Sequence, residues 1–320
     1  MTKNKHIVII LILSAVVAVA YHLIWNQSQP NSIQSLPTNF KLGIVNKCRK
    51  IPEFISKLNM QQPALDSKQQ GHAGGLLIRD IRNQQHVWQH SSWQQSGFIG
   101  GYDRDKYGNI YVAPLPYVSL HKNPPAQQNQ IYIIDNKTAQ MSLFMQMPSA
   151  AIPNNKNPFG TMGVFYDCDT NSLYVSSIAG SLPKQEKGVI YQIDLDTKQV
   201  VSQFNNTDAV GIGVFNSINS KKLYFGSARN SHVYSTILDE NGHFIGGKKY
   251  ELSLSNISNG NSTVVKKIII NKVANKFNMI LKEIEFGFRL VAENNPNRKK
   301  YHFQYSLSQD KWDFIQVSAD

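Results

Sequence analysis

Residues 171–204 read NSLYVSSIAGSLPKQEKGVIYQIDLDTKQVVSQF. Two runs rich in β-branched and aromatic residues, Leu173–Val175 and Val189–Ile193, flank a stretch of Gly, Ser and Pro. The second run ends in Asp194-Leu195-Asp196-Thr197 and is followed by a third run up to Phe204. Such runs suit pleated, half-buried strands, and the Asp, Thr and Gly between them supply turns. With Phe165-Tyr166-Asp167-Cys168-Asp169 just upstream, the segment reads as four short antiparallel strands.

The same order of features recurs on both sides. Upstream, Tyr102-Asp103-Arg104-Asp105 leads to Asn109-Ile110-Tyr111-Val112, and Ile131-Tyr132-Ile133-Ile134-Asp135-Asn136-Lys137-Thr138 runs on to Phe144. Downstream, Val214-Phe215-Asn216-Ser217 leads to Lys222-Leu223-Tyr224-Phe225, and Val233–Asp239 runs on to Phe244. The tyrosines at 111, 174 and 224 are 63 and 50 residues apart, slightly more than the roughly 40–50 residues of a propeller blade. Weaker copies flank these three, at Gly74–Arg79 with His86–Trp88 and in five short runs between Lys266 and Val317. The pattern predicts an all-β fold, a β-propeller of six blades over residues 61–320. Phe40–Val45 is expected to close the ring against the last blade. Lys47–Met60 is expected to be a short helix that plugs the propeller, with Ile51, Ile55 and Leu58 on one face.

Composition agrees. Of 320 residues, 41% are hydrophobic and 17% charged, enough apolar surface to rule out a disordered chain. Two cysteines exclude a disulfide scaffold or a cysteine-based zinc cluster. A single Cys48–Cys168 bridge and two separate thiols both remain open. Lys3 and Lys5 precede an apolar run from Ile7 to Trp25, about 28 Å long as a helix and close to the roughly 30 Å of a bilayer core. The expectation is a signal-anchor or transmembrane helix over 1–25, lysines inside, with a linker and short helix over 26–60. The body is then periplasmic or extracellular. The alternative is secretion after cleavage near Ala20, where Ala18-Val19-Ala20 forms an A-x-A site. The formal charge of +12 is concentrated late, with nine Lys or Arg between Lys266 and Lys300. Nucleic acid is not expected as a partner of an exported domain.

The pair NSLYVSS and GVIYQIDLDTKQVVSQF resembles the blades of gluconolactonase-like and strictosidine-synthase-like propellers, and of NHL-type repeats, over residues 97–250. The resemblance implies a divalent cation (calcium or zinc) at the top of the channel and a metal-dependent lactonase or esterase. Its ligands would fall at Asn157 and Asp208. The chain departs from the family pattern elsewhere: Pro63–Gly75 holds Asp66 and no glutamate, and glycine stands at 211 where an acid is expected.

Three Asp-x-Asp pairs (103/105, 167/169 and 194/196) recur at equivalent turns and read as turn formers spread around the ring. His86 and His90 are four residues apart, on one face of an expected outer strand. Ser177 and Arg229 occupy matching positions after second strands, in YVSS and FGSAR, and with His232 they are the expected ligand-binding residues at the channel mouth. A binding module for a small molecule or an envelope protein is the first functional expectation. The metal-dependent hydrolase and a structural subunit of an envelope complex are the alternatives.

Overall fold

The computed structural model describes residues 40–67, 76–116, 125–257, 263–289 and 298–319, all within one unit, Thr38–Asp320. After β1 (Gly43–Ile44), the chain lays down five antiparallel sheets in succession. The first holds β2 (Pro63–Asp66), β3 (Leu77–Asp80) and β4 (Val87–Trp88). The second holds β5 (Ile99–Arg104), β6 (Ile110–Pro114), β7 (Gln130–Ile134) and β8 (Met141–Gln146). The third holds β9 (Thr161–Asp167), β10 (Ser172–Ser177), β11 (Val189–Asp194) and β12 (Gln199–Phe204). The fourth holds β13 (Ala209–Asn216), β14 (Lys221–Ser227), β15 (His232–Leu238) and β16 (Lys249–Ser253). The fifth holds β17 (Thr263–Val273), β18 (Lys276–Glu285), β19 (Lys299–Ser306) and β20 (Lys311–Ala319). This is a β-propeller of five blades, not the expected six. Residues 61–320 hold only these five sheets among the described residues.

The repeated tyrosine has a physical role. From the second strand of its own blade, each packs into the core shared with the next: Tyr111 against Tyr166 and Leu173, Tyr174 against Leu238, Tyr224 against Tyr301 and Trp312. Tyr174 and Tyr224 are essentially fully buried. Burying an aromatic ring removes 150–250 Å² from water, so each tyrosine is a large part of a blade–blade seam. Tyr174 also donates its hydroxyl to Gly242 O at 2.7 Å. The repeated aspartates close turns: Asp135 Oδ1 accepts from the backbone N of Lys137 and Thr138, and Asp194 Oδ1 from Asp196 and Thr197.

Glycines set the tightness of the ring. A Cβ at Gly101 would lie 2.5 Å from Met162 O, one at Gly163 2.4 Å from Val210 O, and one at Gly211 2.8 Å from Lys266 O. In three successive seams, then, the first strand of one blade abuts the backbone of the next, with space only for hydrogen. Glycine within a strand marks such close approach. The ladders of β5, β9 and β13 shift register beside these glycines.

The segment 40–58 is a strap across one end of the ring, where the first strands finish. β1 pairs antiparallel with β13 of the fourth blade, Gly43 opposite Asn216, and Gly43 sits against the ring of Phe277 in the fifth. Cys168 N donates to Val45 O, and Cys48 is disulfide-bonded to Cys168 in the third blade. Lys50 N donates to Asp105 O and Phe54 N to Asn136 O, both in the second. Phe54 then stacks near Trp88 of the first, ring centroids 5.6 Å apart. The strap visits the blades in reverse chain order. Closure onto the last blade through Phe40–Val45 is therefore corrected: the strand joins the fourth. The helix over Lys47–Met60 is corrected too, because only Glu53–Lys57 is helical, as a 3-10 turn. Ile51, placed on the apolar face of that helix, is 68% exposed. Phe54 and Ile55 do the packing.

His86 and His90 share no strand face: β4 is only Val87–Trp88, and His90 caps the following 3-10 turn by accepting from Ser92 N. The apolar run Ile7–Trp25 lies outside the described residues. Among the described residues no helix is long and apolar enough to cross a membrane.

Candidate functional site

The end opposite the strap, where β5, β9, β13 and β17 begin, gathers four of the five residues singled out in the sequence. Asn157, just before β9, is buried and uses its whole amide: Nδ2 donates to Ile178 O and Ser181 O, each at 2.8 Å, and Oδ1 accepts from Phe159 N at 3.0 Å. Asp208, which precedes β13, is 1% exposed. Its Oδ1 accepts from Ser181 Oγ and from Gly188 N, and its Oδ2 is ion-paired with Arg229. Burial raises the Asp208 carboxyl above its ordinary range, opposed by the Ser181 hydroxyl and the Arg229 charge.

Arg229 follows β14 and works as a clamp. It donates from Nη1 to Pro183 O and from Nη2 to Leu182 O, both at 2.9 Å, and its guanidinium lies 5.1 Å from the ring centre of Phe288. Its side chain is 20% exposed. Ser177, at the end of β10, is buried; it donates to Asn129 Oδ1 at 2.6 Å and accepts from Ala179 N. So Asn157, Asp208 and Arg229 meet in one buried network through Ser181, and Ser177 lies at the same end.

His232 stands apart. It opens β15 in the outer half of the fourth blade, where Nδ1 is 3.0 Å from Tyr234 Oη and the ring meets Tyr250 edge-on at 5.3 Å. Backbone order explains this: a residue at the start of a third strand lies at the same end as the mouth but away from its axis.

The mouth itself is apolar. Phe159, Met162, Ile178, Val210, Ala228, Val264 and Phe288 form one buried cluster, with Leu115, Ile284 and Phe286 packed on it. The Phe159 and Phe286 ring centroids are 5.0 Å apart, and those of Phe286 and Phe288 5.6 Å. Phe286 and Phe288 lie in the run after β18, which sequence reading placed in a strand, so their convergence with Phe159 was missed. Among the described residues, no three His, Cys, Asp or Glu side chains come together as a metal cage would require.

At the other end lies a second buried polar cluster. Lys221 Nζ is 2.8 Å from Asp167 Oδ2 and 2.9 Å from Asp169 Oδ2, and the side chains of Lys221 and Asp167 are both fully buried. Phe40 covers the ammonium, its ring centre 4.4 Å away. Arg49 of the strap pairs with Asp103, donates to Tyr166 O at 2.8 Å and lies over Phe165. The Asp-x-Asp pairs thus serve turns and strap anchorage.

No protein-family model matches the chain, and no curated protein matches it. Several solved structures resemble it at low identity. The β-propeller domain of Cps50 (Swd1) from Myceliophthora thermophila is 10% identical, with a TM-score of 0.41, over 81% of this chain and 70% of that one. A GH43_12 protein from a capybara gut metagenome is 10% identical, with a TM-score of 0.39, over 68% of this chain. This chain spans only 41% of that protein's length. A DUF4221 family member from Bacteroides vulgatus is 11% identical, with a TM-score of 0.37, over 89% of this chain and 86% of that one.

Proposed function

We propose that the chain is an exported, membrane-anchored β-propeller that acts as a binding module and engages its partner at the mouth, around Phe286, Phe288 and Arg229. The observation that supports this is the make-up of that end: phenylalanines packed tilted and edge-to-face, with an arginine held over one of them. Arginine and aromatic side chains on a rigid frame are what binding hot spots are made of. Arg229 and Asp208 fix the Leu182–Pro183 loop beside the mouth, and Ser177 secures the neighbouring Asn129. A small molecule or an envelope protein would meet the half-buried ring of Phe286 beside the partly exposed Arg229 guanidinium. The anchor, Ile7–Trp25, would keep the body on the outer side of the membrane.

The metal-dependent lactonase has no such observation in its favour. Asn157 Oδ1 and both Asp208 oxygens already have partners, and a cation would have to displace them.

The test places a photoreactive phenylalanine analogue at position 286 of the full chain in the expressing cell. A discrete adduct is expected, and Arg229→Met combined with Asp208→Asn, which leaves no buried carboxylate unpaired, should abolish it in a chain that still unfolds cooperatively. No adduct at 286, or one that also forms from position 218 at the strap end, would overturn the reading. Extraction of membranes with alkaline carbonate tests the anchor: the chain should stay in the pellet.

A further inference from the structure

The strap end of the ring carries apolar side chains that point away from the core. Ile51 is 68% exposed, Val273 59%, Tyr107 56%, Ile218 53%, Leu307 50% and Leu42 39%. Five of the six sit at tips: Tyr107 and Ile218 in turns between the first two strands of a blade, Val273 at the end of β17 beside such a turn, Leu307 in an outer turn, and Ile51 on the strap. Turns ordinarily take polar residues, and here each local pattern is broken by one large apolar side chain.

Around them the charge is basic near the axis. Lys41, Lys47 and Lys50 on the strap and Lys276 beside Val273 are exposed, and Glu53 is the exposed acid among them. The other exposed acids of this end are Asp169, which lies in the turn between β9 and β10 and is paired there with Lys221, and Asp135, Asp196, Glu240 and Asp313, which belong to outer strands and turns at the rim. Chain connectivity points the same way. Phe40 lies over Lys221 at this end, and only residues 26–39 separate it from the apolar run ending at Trp25. Fourteen residues reach at most about 50 Å even fully extended.

From these observations we infer that the strap end is a membrane-contact surface. Its apolar tips dip into the interface of an anionic bilayer, and its central lysines meet the lipid headgroups. The inference rests on the anchored reading given above for the occupant's proximity, but its surface chemistry is separate. Shallow insertion of separate apolar tips combined with headgroup attraction is how peripheral surfaces hold to bilayers. A lysine near an anionic surface contributes about fivefold in partitioning. With the strap end down, the Phe286–Arg229 mouth faces away from the membrane, open to a partner.

The experiment uses the full chain in vesicles of phosphatidylcholine with phosphatidylglycerol. Its two cysteines are joined to each other, so a single added thiol can carry an environment-sensitive fluorophore. Val273→Cys and Leu307→Cys report on the strap end, and Lys184→Cys, exposed in the loop between β10 and β11 at the mouth end, on the opposite one. Labels at 273 and 307 should shift to the blue and be quenched by a lipid-borne quencher, and the label at 184 should do neither. Lys47→Glu, Lys50→Glu and Lys276→Glu together, or vesicles of phosphatidylcholine alone, should cut the quenching severalfold. Water-like emission at 273 and 307, or lipid quenching at 184, would overturn the inference. Carbonate extraction of the same vesicles reports on the anchor alone: a chain that extracts yet still shifts at 273 and 307 loses the anchor and keeps the surface.

Discussion

Replacing Lys221 with methionine removes a fully buried cation held against two aspartates. The side chains of Lys221 and Asp167 are fully buried, and the Nζ lies 2.8 Å from Asp167 Oδ2 and 2.9 Å from Asp169 Oδ2. Methionine conserves the volume and leaves a buried carboxylate uncompensated, which costs about 3–5 kcal/mol. For a body of about 280 residues the unfolding entropy is roughly 0.6 kcal/mol/K, so the melting temperature should fall by about 5–8 °C. The deficit must also depend on pH. Burial already raises the Asp167 carboxyl above its ordinary range, against the opposing charge of Lys221; without the lysine it rises further. A carboxyl raised in the folded state stabilises the fold in acid and loses that contribution as pH rises through its folded value. The deficit of Lys221→Met should therefore be largest near pH 8 and shrink toward pH 5, by about 1.4 kcal/mol per pH unit once Asp167 takes up its proton. Adding Asp167→Asn should recover most of the loss at pH 8. Urea unfolding at pH 5, 6.5 and 8 is the assay. A deficit under 1 kcal/mol, or one equal at all three pH values, would refute the reasoning.

Three further outcomes are expected. Serine at both Cys48 and Cys168 opens a loop of 120 residues, worth about 5 kcal/mol by chain entropy and 2–4 in most proteins; thermal melting should drop by about 3–8 °C, and dithiothreitol should lower the parent but not the variant. Gly163→Ala pushes a methyl group to 2.4 Å from Val210 O and should cost about 1–3 kcal/mol, whereas Gly247→Ala, with nothing within 4 Å, should leave the urea midpoint in place. Calcium or zinc at millimolar concentration should not raise the melting temperature of the parent; a rise that Asn157→Ala and Asp208→Ala each abolish would restore the hydrolase reading.

The blades were legible because their signals are local and repeated. Tyr111, Tyr174 and Tyr224 mark the seams, and Asp135 and Asp194 mark turns that close within four residues. Blade number was not legible, since it depends on how near the first strands approach one another. That spacing is written in Gly101, Gly163 and Gly211, whose meaning appears only when the next backbone is in place. The strap misled for a related reason: Ile51, Ile55 and Leu58 have helical spacing, but partners in distant blades override a local period over so short a stretch. At the candidate site, placement at the ends of first and second strands found Asn157, Ser177, Asp208 and Arg229. It could not show that all four are engaged in internal bonds, with Arg229 alone keeping part of its side chain exposed among them. Phe286 and Phe288 escaped because nothing in their own neighbourhood marks them as facing Phe159.

The strap is made first and must dock last. Gly43 has no pairing partner until Asn216 exists, which at ordinary synthesis rates is a delay on the order of ten to thirty seconds. Through that interval the earliest-made residues of the body wait while three sheets and the first strand of a fourth collect behind them. Cys48 waits as a thiol, and the delay creates no wrong bridge within the chain, because 168 is the only other cysteine. A third cysteine anywhere before position 168 would end that immunity, offering an earlier partner to a thiol that has nothing else to do.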